Sequence, residues 1–162
     1  MTREQLLDYV APCGLMCYTC PGFENSAIKH HSAALLRLRE GYREFLDMHL
    51  PEEYRFVLDE HDKYMETLAR DSAPTCVGCR KNCGDSSGCI KDCFIHTCVK
   101  THDVDFCGEC PEFPCARLRN SDVYEEEAKR GILNASSQIK EVGAEHFFEM
   151  KKDTSHYLEY LK

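Results

Sequence analysis

The stretch CGLMCYTCP at residues 13–21 contains three cysteines whose spacing is typical of thiolate sites for metal ions. Two residues between a pair of cysteines let one tight turn direct both sulfurs at the same tetrahedral ion, and backbone amides near the turn can donate hydrogen bonds to sulfur. The stretch suits a zinc site, an iron–sulfur cluster or one end of a disulfide framework. By itself, the spacing leaves these three chemistries open.

The whole chain has 162 residues and 12 cysteines. The cysteines fall into four groups of three, and three of these groups contain a CxxC pair. Because a tetrahedral ion takes four ligands, some sites must draw on more than one group or accept a histidine such as His96 or His102. We therefore expect two or three zinc ions, held by Cys13, Cys17, Cys20, Cys76, Cys79, Cys83, Cys89, Cys93, Cys98, Cys107, Cys110 and Cys115.

The expected compartment argues against disulfides. The start of the chain carries Glu4 and Asp8 where a signal peptide needs an unbroken apolar segment, and no apolar run approaches the roughly 20 residues that span a bilayer. We therefore expect a cytoplasmic protein without a membrane partner. A reducing cytoplasm keeps thiols free, so a cysteine-dense chain there is more typical of metal binding than of cross-linking.

Iron–sulfur chemistry is the alternative to zinc. Cys20 and Cys110 are each followed by proline, as the last ligand of a bacterial ferredoxin run often is, but no four cysteines follow the ferredoxin spacing. Residues 13–20 also match the CxxxCxxC motif of radical S-adenosylmethionine enzymes. Those enzymes usually have an aromatic residue where this chain has Thr19, and their barrel needs strands that this sequence does not predict. An iron–sulfur protein in electron transfer or redox sensing is the alternative function.

Composition and charge limit the partners. The formal net charge is −8 and hydrophobic residues make up 43% of the chain, which is typical of a globular domain. A nucleic-acid partner requires a basic surface, whereas the compact cationic groups here, such as Arg80 with Lys81, are pairs beside acids. We expect no nucleic-acid partner, and the remaining partners are an unknown protein or a small ligand.

Catalysis is less expected than a structural role, and no catalytic residue is predicted. A cysteine nucleophile needs a free thiol beside a base, and a zinc hydrolase needs an open coordination position with a general base. No local signature for either occurs, and HExxH is absent. We expect a structural zinc-binding protein that presents a rigid surface to a protein or a small ligand.

The elements that position the cysteines are predicted to be mainly α-helical. Thr2 and Gln5 fit a capping box at the first helix. In residues 26–71, apolar residues recur at helical spacing on both sides of Pro51, which predicts an antiparallel helical hairpin with a bend at Gly41. No segment shows the alternation of a strand, so little β structure is expected.

We expect one domain over residues 1–162. Its parts are an N-terminal helix with the first cysteine trio (1–25), the hairpin (26–71), a cysteine-rich zinc-knuckle lobe (72–115) and C-terminal helices (116–162) packed on that lobe. The lobe has few aliphatic residues, so bound metal must replace a conventional core. The last part should also pack on the hairpin through Val123, Leu133, Ile139, Val142, Phe147 and Phe148.

Four motifs together resemble a known family. They are CGLMCYTCPGF near the start, CVGCR and CFIHTC in the middle, and CGECPEFPCARL after them. They resemble a family of small cysteine-rich prokaryotic proteins of unknown function, and the tail ILNASSQIKEVGAEHFFE resembles that family's ending of a helix, a glycine and a short helix. The resemblance implies zinc binding and no established activity. Cys83 departs from the family's pattern, in which that cysteine is not regular.

Overall fold

The structure is a computed structural model that describes residues 1–81, 90 and 93–159. In these ranges the chain is mainly α-helical, as predicted, and its β structure is limited to two isolated bridges. No helix in the described ranges is long and apolar enough to cross a membrane. The α-helices are α1 (Arg3–Tyr9), α2 (Ala27–Leu38), α3 (Tyr42–His49), α4 (Phe56–Asp71), α5 (Ile95–Thr101), α6 (Ala116–Arg119), α7 (Glu126–Val142) and α8 (Ala144–Lys151). Short 3-10 helices occupy Cys17–Thr19, Glu52–Tyr54, Cys107–Glu109 and His156–Glu159.

Helix α1 leads directly into the first cysteine trio. The predicted capping box is present, since the Thr2 hydroxyl accepts a hydrogen bond from the Gln5 backbone and the Gln5 side chain accepts one from the Thr2 backbone. After the helix, Val10 pairs with Met16 in an isolated antiparallel bridge. The chain therefore turns back on itself through Cys13, and this turn is buried.

The predicted hairpin consists of three helices, because the chain bends at Gly41 as expected. Ser26 caps α2 by accepting a hydrogen bond from the Lys29 amide at 3.1 Å. Helix α4 packs against α2, and Leu58, His61 and Leu68 on its inner face are buried. The apolar stripe predicted for the first half of the hairpin is largely exposed instead. Leu38, Tyr42 and Phe45 are 81%, 42% and 52% exposed.

The C-terminal helices cover the cysteine turns. Helix α7 packs mainly on the 3-10 turn at Cys107–Glu109, and α8 packs on α7 and α1. These contacts bury Ile139, Phe147 and Phe148, as predicted. The expectation that these helices pack on the hairpin is corrected, because α1 and the turn provide the main apolar surface that they contact.

Two of the residues expected in this core lie at the surface. Val123 and Val142 are 37% and 36% exposed. The neighbouring Tyr124 takes the buried position instead, at 3% exposure, and Val142 is the last residue of α7. The buried face of this region therefore starts one residue later than predicted and leaves out the last residue of α7.

Two glycines allow the cysteine turns to approach α7 closely. Gly14 has a φ of +84°, and a Cβ atom there would lie 2.7 Å from the Cβ of Ala135. A Cβ atom at Gly108 would lie 2.2 Å from the carbonyl oxygen of Ser136. Backbone atoms of a helix cannot rotate away as a flexible side chain can. Both turns therefore depend on glycine to pack against the same stretch of α7.

We predict that Gly108→Ala lowers the free energy of unfolding by about 1–3 kcal/mol, since the added methyl group overlaps helix backbone. Gly22→Ala is the matched control, because its nearest neighbour, the Cys20 sulfur, lies at an ordinary contact distance of 3.7 Å. The free energy of unfolding of the control should lie within about 0.5 kcal/mol of that of the parent chain. Urea denaturation measures both, and equal midpoints for the two variants would contradict the proposed close approach.

Candidate metal centre

Four cysteines surround a small cavity between α5, the turn at Cys107–Glu109 and the start of α6. Cys98 lies in α5, Cys107 and Cys110 lie at the two ends of the turn, and Cys115 precedes α6. The cavity has a volume of about 20 Å³, which is room for one water-sized particle. The rest of its lining is Val99, Val104 and Phe113, together with His102 and Glu112.

The thiols of this cavity influence one another electrostatically. Burial raises the pKa of Cys107 to about 12, and the neighbouring Cys115 and Cys98 raise it as well. The pKa of Cys98 is also raised, first by burial and in addition by Cys115 and Cys110. Thiolates gathered here repel each other and lack water, so a cation among them favours their charged form.

Helix α7 connects this cavity to the first cysteine trio through Ser136. The Ser136 side chain is fully buried and forms a hydrogen bond with Cys107, which lowers the pKa of that thiol. Its hydroxyl also donates to the carbonyl oxygen of Cys13 at 3.4 Å. One turn of α7 therefore contacts two of the four cysteine groups.

The three CxxC pairs lie in tight turns. The Cys20 amide donates to the Cys17 carbonyl at 3.0 Å, and the Cys110 amide donates to the Cys107 carbonyl at 3.2 Å. In the third pair, the Gly78 amide donates to the sulfur of Cys76 at 3.4 Å. An amide that points at sulfur stabilises a thiolate, which is the local geometry that CxxC metal sites use.

Two cysteine groups that are distant in sequence are joined by a parallel bridge. Cys76 pairs with Phe23 in this bridge, and its amide donates to the Gly22 carbonyl at 3.0 Å. In return, the Glu24 amide donates to the Cys76 carbonyl at 2.9 Å. The second CxxC turn is therefore held against the loop that follows Cys20.

Cys93 contacts a buried tyrosine. Its sulfur lies 3.4 Å from the phenol oxygen of Tyr124. The pKa of that phenol is raised, first by burial and then by its hydrogen bond to Cys93, and Cys13 also contributes. The phenol therefore stays protonated, and it can donate a hydrogen bond to the Cys93 sulfur when that sulfur is a thiolate.

Arg80, the residue after the second CxxC pair, places a partly buried cation near the first trio. Its guanidinium donates to the backbone carbonyls of Leu7 at 2.9 Å and Asp105 at 2.7 Å. Burial lowers the pKa of Arg80, whereas the nearby thiols Cys17 and Cys13 act in the opposite direction. A fixed positive charge here offsets the negative charge of thiolates in this part of the protein.

The structure gathers some of the twelve predicted ligands and leaves the ligation itself as a prediction. No disulfide joins the ten cysteines in the described ranges to one another, and Cys83 and Cys89 lie outside those ranges. Among the described residues, no three Cys, His, Asp or Glu side chains come close enough together to hold a metal ion. The four cavity cysteines surround a common space without converging on one point.

Of the two histidines considered as ligands, His96 and His102, only His102 lines the cavity. His96 is buried, burial lowers its pKa, and its Nε2 has no hydrogen-bond partner in the described part of the chain. It does not line the cavity. His102 does, and its Nδ1 lies 3.7 Å from the Cys98 sulfur while remaining 2.9 Å from the Cys98 carbonyl.

The volume of the cavity is closer to that of a single ion than to that of a cluster of several atoms. Its donors are sulfur atoms, the softest ligands that proteins offer, and zinc accepts four of them. A volume near that of one water suits one ion, whereas an iron–sulfur cluster adds several iron and sulfide atoms. Rotation of cysteine χ1 angles is the adjustment that brings sulfurs inward.

Three residues that contact the cysteines were not singled out as site residues from the sequence. They are Tyr124, Ser136 and Arg80. Only Arg80 carried a local signal, since it directly follows a CxxC pair. The other two contact cysteines that are at least 29 residues away along the chain, so no spacing rule could have indicated them.

Comparison with known proteins places the motifs in one family. A family model described as "Protein of unknown function (DUF3795)" matches residues 9–120. The matched range includes all twelve cysteines and ends before α7. Neither the curated proteins nor the solved structures contain a significant match to this chain.

We predict that Tyr124→Phe lowers the free energy of unfolding by about 1 kcal/mol, because it removes the buried hydroxyl that contacts Cys93 and keeps the ring. The loss should rise to about 1.5–3 kcal/mol if the sulfur is a charged thiolate. Tyr64→Phe removes the same group at a position that is 40% exposed and should have little effect. Thermal or urea unfolding measures both, and equal stability of the two variants would exclude a role for this contact.

Proposed function

We propose that this chain, which belongs to the family of proteins of unknown function DUF3795, is a structural zinc-binding protein. In this proposal Cys98, Cys107, Cys110 and Cys115 hold one ion in the cavity between α5 and α6. The observation that carries the proposal is that these four cysteines, from three segments of the chain, line one cavity of about 20 Å³. Two of the four form a CxxC turn, as in many structural zinc sites.

The energetic argument favours a structural role for the ion. A closed zinc site contributes on the order of 10 kcal/mol to folding, while a whole domain is stable by only about 5–15 kcal/mol. The cavity has four sulfur donors, so a bound ion has no need of water as a ligand. A closed site of this kind does not catalyse hydrolysis, which requires an open coordination position.

The remaining cysteines support one or two further ions in the proposed protein. The bridge between Cys76 and Phe23 brings the second CxxC turn to the first trio. Cys93 shares its surroundings with Cys13 through Tyr124. We therefore propose that all twelve cysteines are ligands and that together they hold two or three zinc ions.

The alternative is an iron–sulfur protein that transfers electrons or senses redox state. The prolines after Cys20 and Cys110 are the feature that favours it.

We predict that protein purified without oxygen is colourless and contains zinc. The double variant Cys107→Ser with Cys110→Ser should contain one zinc ion fewer per chain, because it removes half of the ligands of one site. Glu112→Gln, which changes an exposed carboxylate beside the same cavity, should keep the full amount. Elemental analysis gives the number of ions per chain. Iron with visible absorbance would support the alternative function, and unchanged zinc in the double variant would refute this ligand assignment.

We also predict that removal of zinc by a chelator unfolds the part of the protein around the cavity. Far-ultraviolet circular dichroism should lose helical signal, and the urea midpoint should fall, because helices as short as α5 and α6 are marginally stable and lose the ion that links them. Added zinc should restore both properties. A chelated protein with unchanged helicity and stability would show that the ion is not structural.

A further inference from the structure

Helix α3 is amphipathic but almost wholly exposed. None of its eight residues is buried, and all except Leu46 are more than a third exposed. Phe45 and Met48 are 52% and 73% exposed. A helix with an apolar face normally forms by burying that face, since short helices are marginally stable in water.

The exposed apolar surface continues from α3 onto both neighbouring helices. We call it the hairpin patch and define it as Leu38, Tyr42, Phe45, Met48, Tyr54 and Phe56, each at least 42% exposed. The rings of Tyr42 and Phe45 stack with centroids 6.3 Å apart. Arg55 forms an ion pair with Asp47 and donates to its backbone carbonyl. This contact places the 3-10 helix Glu52–Tyr54 and the first residue of α4, Phe56, beside the carboxyl end of α3.

The area of the hairpin patch matches one side of a standard protein interface. Large side chains bury roughly 150–250 Å² each when fully covered, so six that are about half exposed present on the order of 700 Å² of surface. Stable interfaces bury about 800 Å² per partner, and contiguous patches above a few hundred Å² are uncommon on monomers. Aromatic side chains and methionine, which dominate this patch, are enriched at interface centres.

The charges around the patch favour a second copy of this chain as its partner. The whole chain has a formal charge of −8, which would repel another copy at most orientations. Residues 38–56, which contain the whole patch, carry both signs, with three arginines and five carboxylates, 3 − 5 = −2. Arg43 and Asp62, which pair at 3.2 Å, also place both signs beside the patch. Because arginines and carboxylates lie side by side here, a two-fold axis can bring each sign of one copy against the opposite sign of the other.

We propose that the hairpin patch is a homodimer interface, in which α3 of one chain packs against α3 of a second copy around a two-fold axis. This inference goes beyond zinc binding and does not depend on it, since the patch lies on the hairpin and contains no cysteine. The apolar rings and Met48 form the centre of the interface, and the arginines and carboxylates form its rim.

Sedimentation equilibrium of the full chain with its bound metal, over a series of concentrations, tests the proposal. The monomer mass is 18.7 kDa, so a dimer has 2 × 18.7 = 37.4 kDa. Phe45→Glu and Met48→Glu each place a charge in the centre of the interface and should raise the dimer dissociation constant by about 30-fold or more. Met150→Glu is the control, because it makes the same change at a methionine that is 47% exposed outside the patch.

Three results would overturn the proposal. They are a parent chain that is monomeric at every concentration, a dimer that both patch variants leave unchanged, and a control variant that dissociates the dimer as much as they do. A monomeric parent would mean that the patch serves another protein. Circular dichroism and zinc content of each variant verify its fold, and at 73% exposure Met48 can be replaced without loss of core packing. Because zinc is measured in the same samples, a failure of the dimer proposal is distinguishable from a failure of the zinc proposal.

Discussion

The packing of two cysteine turns against one stretch of α7 is the constraint on which the rest of the structure depends. The turns at Cys13 and at Cys107 both use a glycine to approach the helix backbone around Ala135 and Ser136. Ser136 then forms hydrogen bonds with both turns from a fully buried position. A helix that follows the cysteine-rich lobe in sequence thereby fixes the position of cysteines from the C-terminal end of that lobe and from the N-terminal part of the chain.

This arrangement explains how thiols can be packed into a core beside apolar side chains such as Ile95, Phe113 and Leu118. Buried thiols are neutral and compatible with apolar neighbours, as the raised pKa of Cys107 indicates. Their conversion to thiolates requires positive charge nearby. Arg80 supplies this charge beside the first trio. In the cavity, we propose that zinc supplies it. The same side chains therefore serve as a packed interior in one protonation state and as ligands in the other.

Local structure was predictable from the sequence because its causes are local. The capping box at Thr2, the bend at Gly41 and the tight turns of the CxxC pairs each depend on residues within a few positions of one another. The selection of Cys98, Cys107, Cys110 and Cys115 around one cavity depends on how α5 packs against a later turn, and spacing does not encode that packing. Twelve equivalent thiols allow many groupings, so only the fold distinguishes among them.

Hydrophobic periodicity identified apolar faces correctly but not what covers them. The stripe through Leu38, Tyr42 and Phe45 has the predicted helical spacing, and yet much of it faces solvent. Periodicity shows that one face of a helix is apolar. It does not show whether that face packs on the same chain or on another one. At Val123 and Tyr124 the error was a single residue, because an aromatic ring with a hydroxyl can be buried when a sulfur atom accepts its hydrogen bond.

X-ray absorption spectroscopy of the protein purified without oxygen tests the central claim most directly, because it identifies the element and its ligands together. The account predicts a zinc edge and a first shell of four sulfur atoms at about 2.3 Å. An iron edge with iron–iron scattering, or zinc surrounded only by nitrogen and oxygen at about 2.0–2.2 Å, would contradict it.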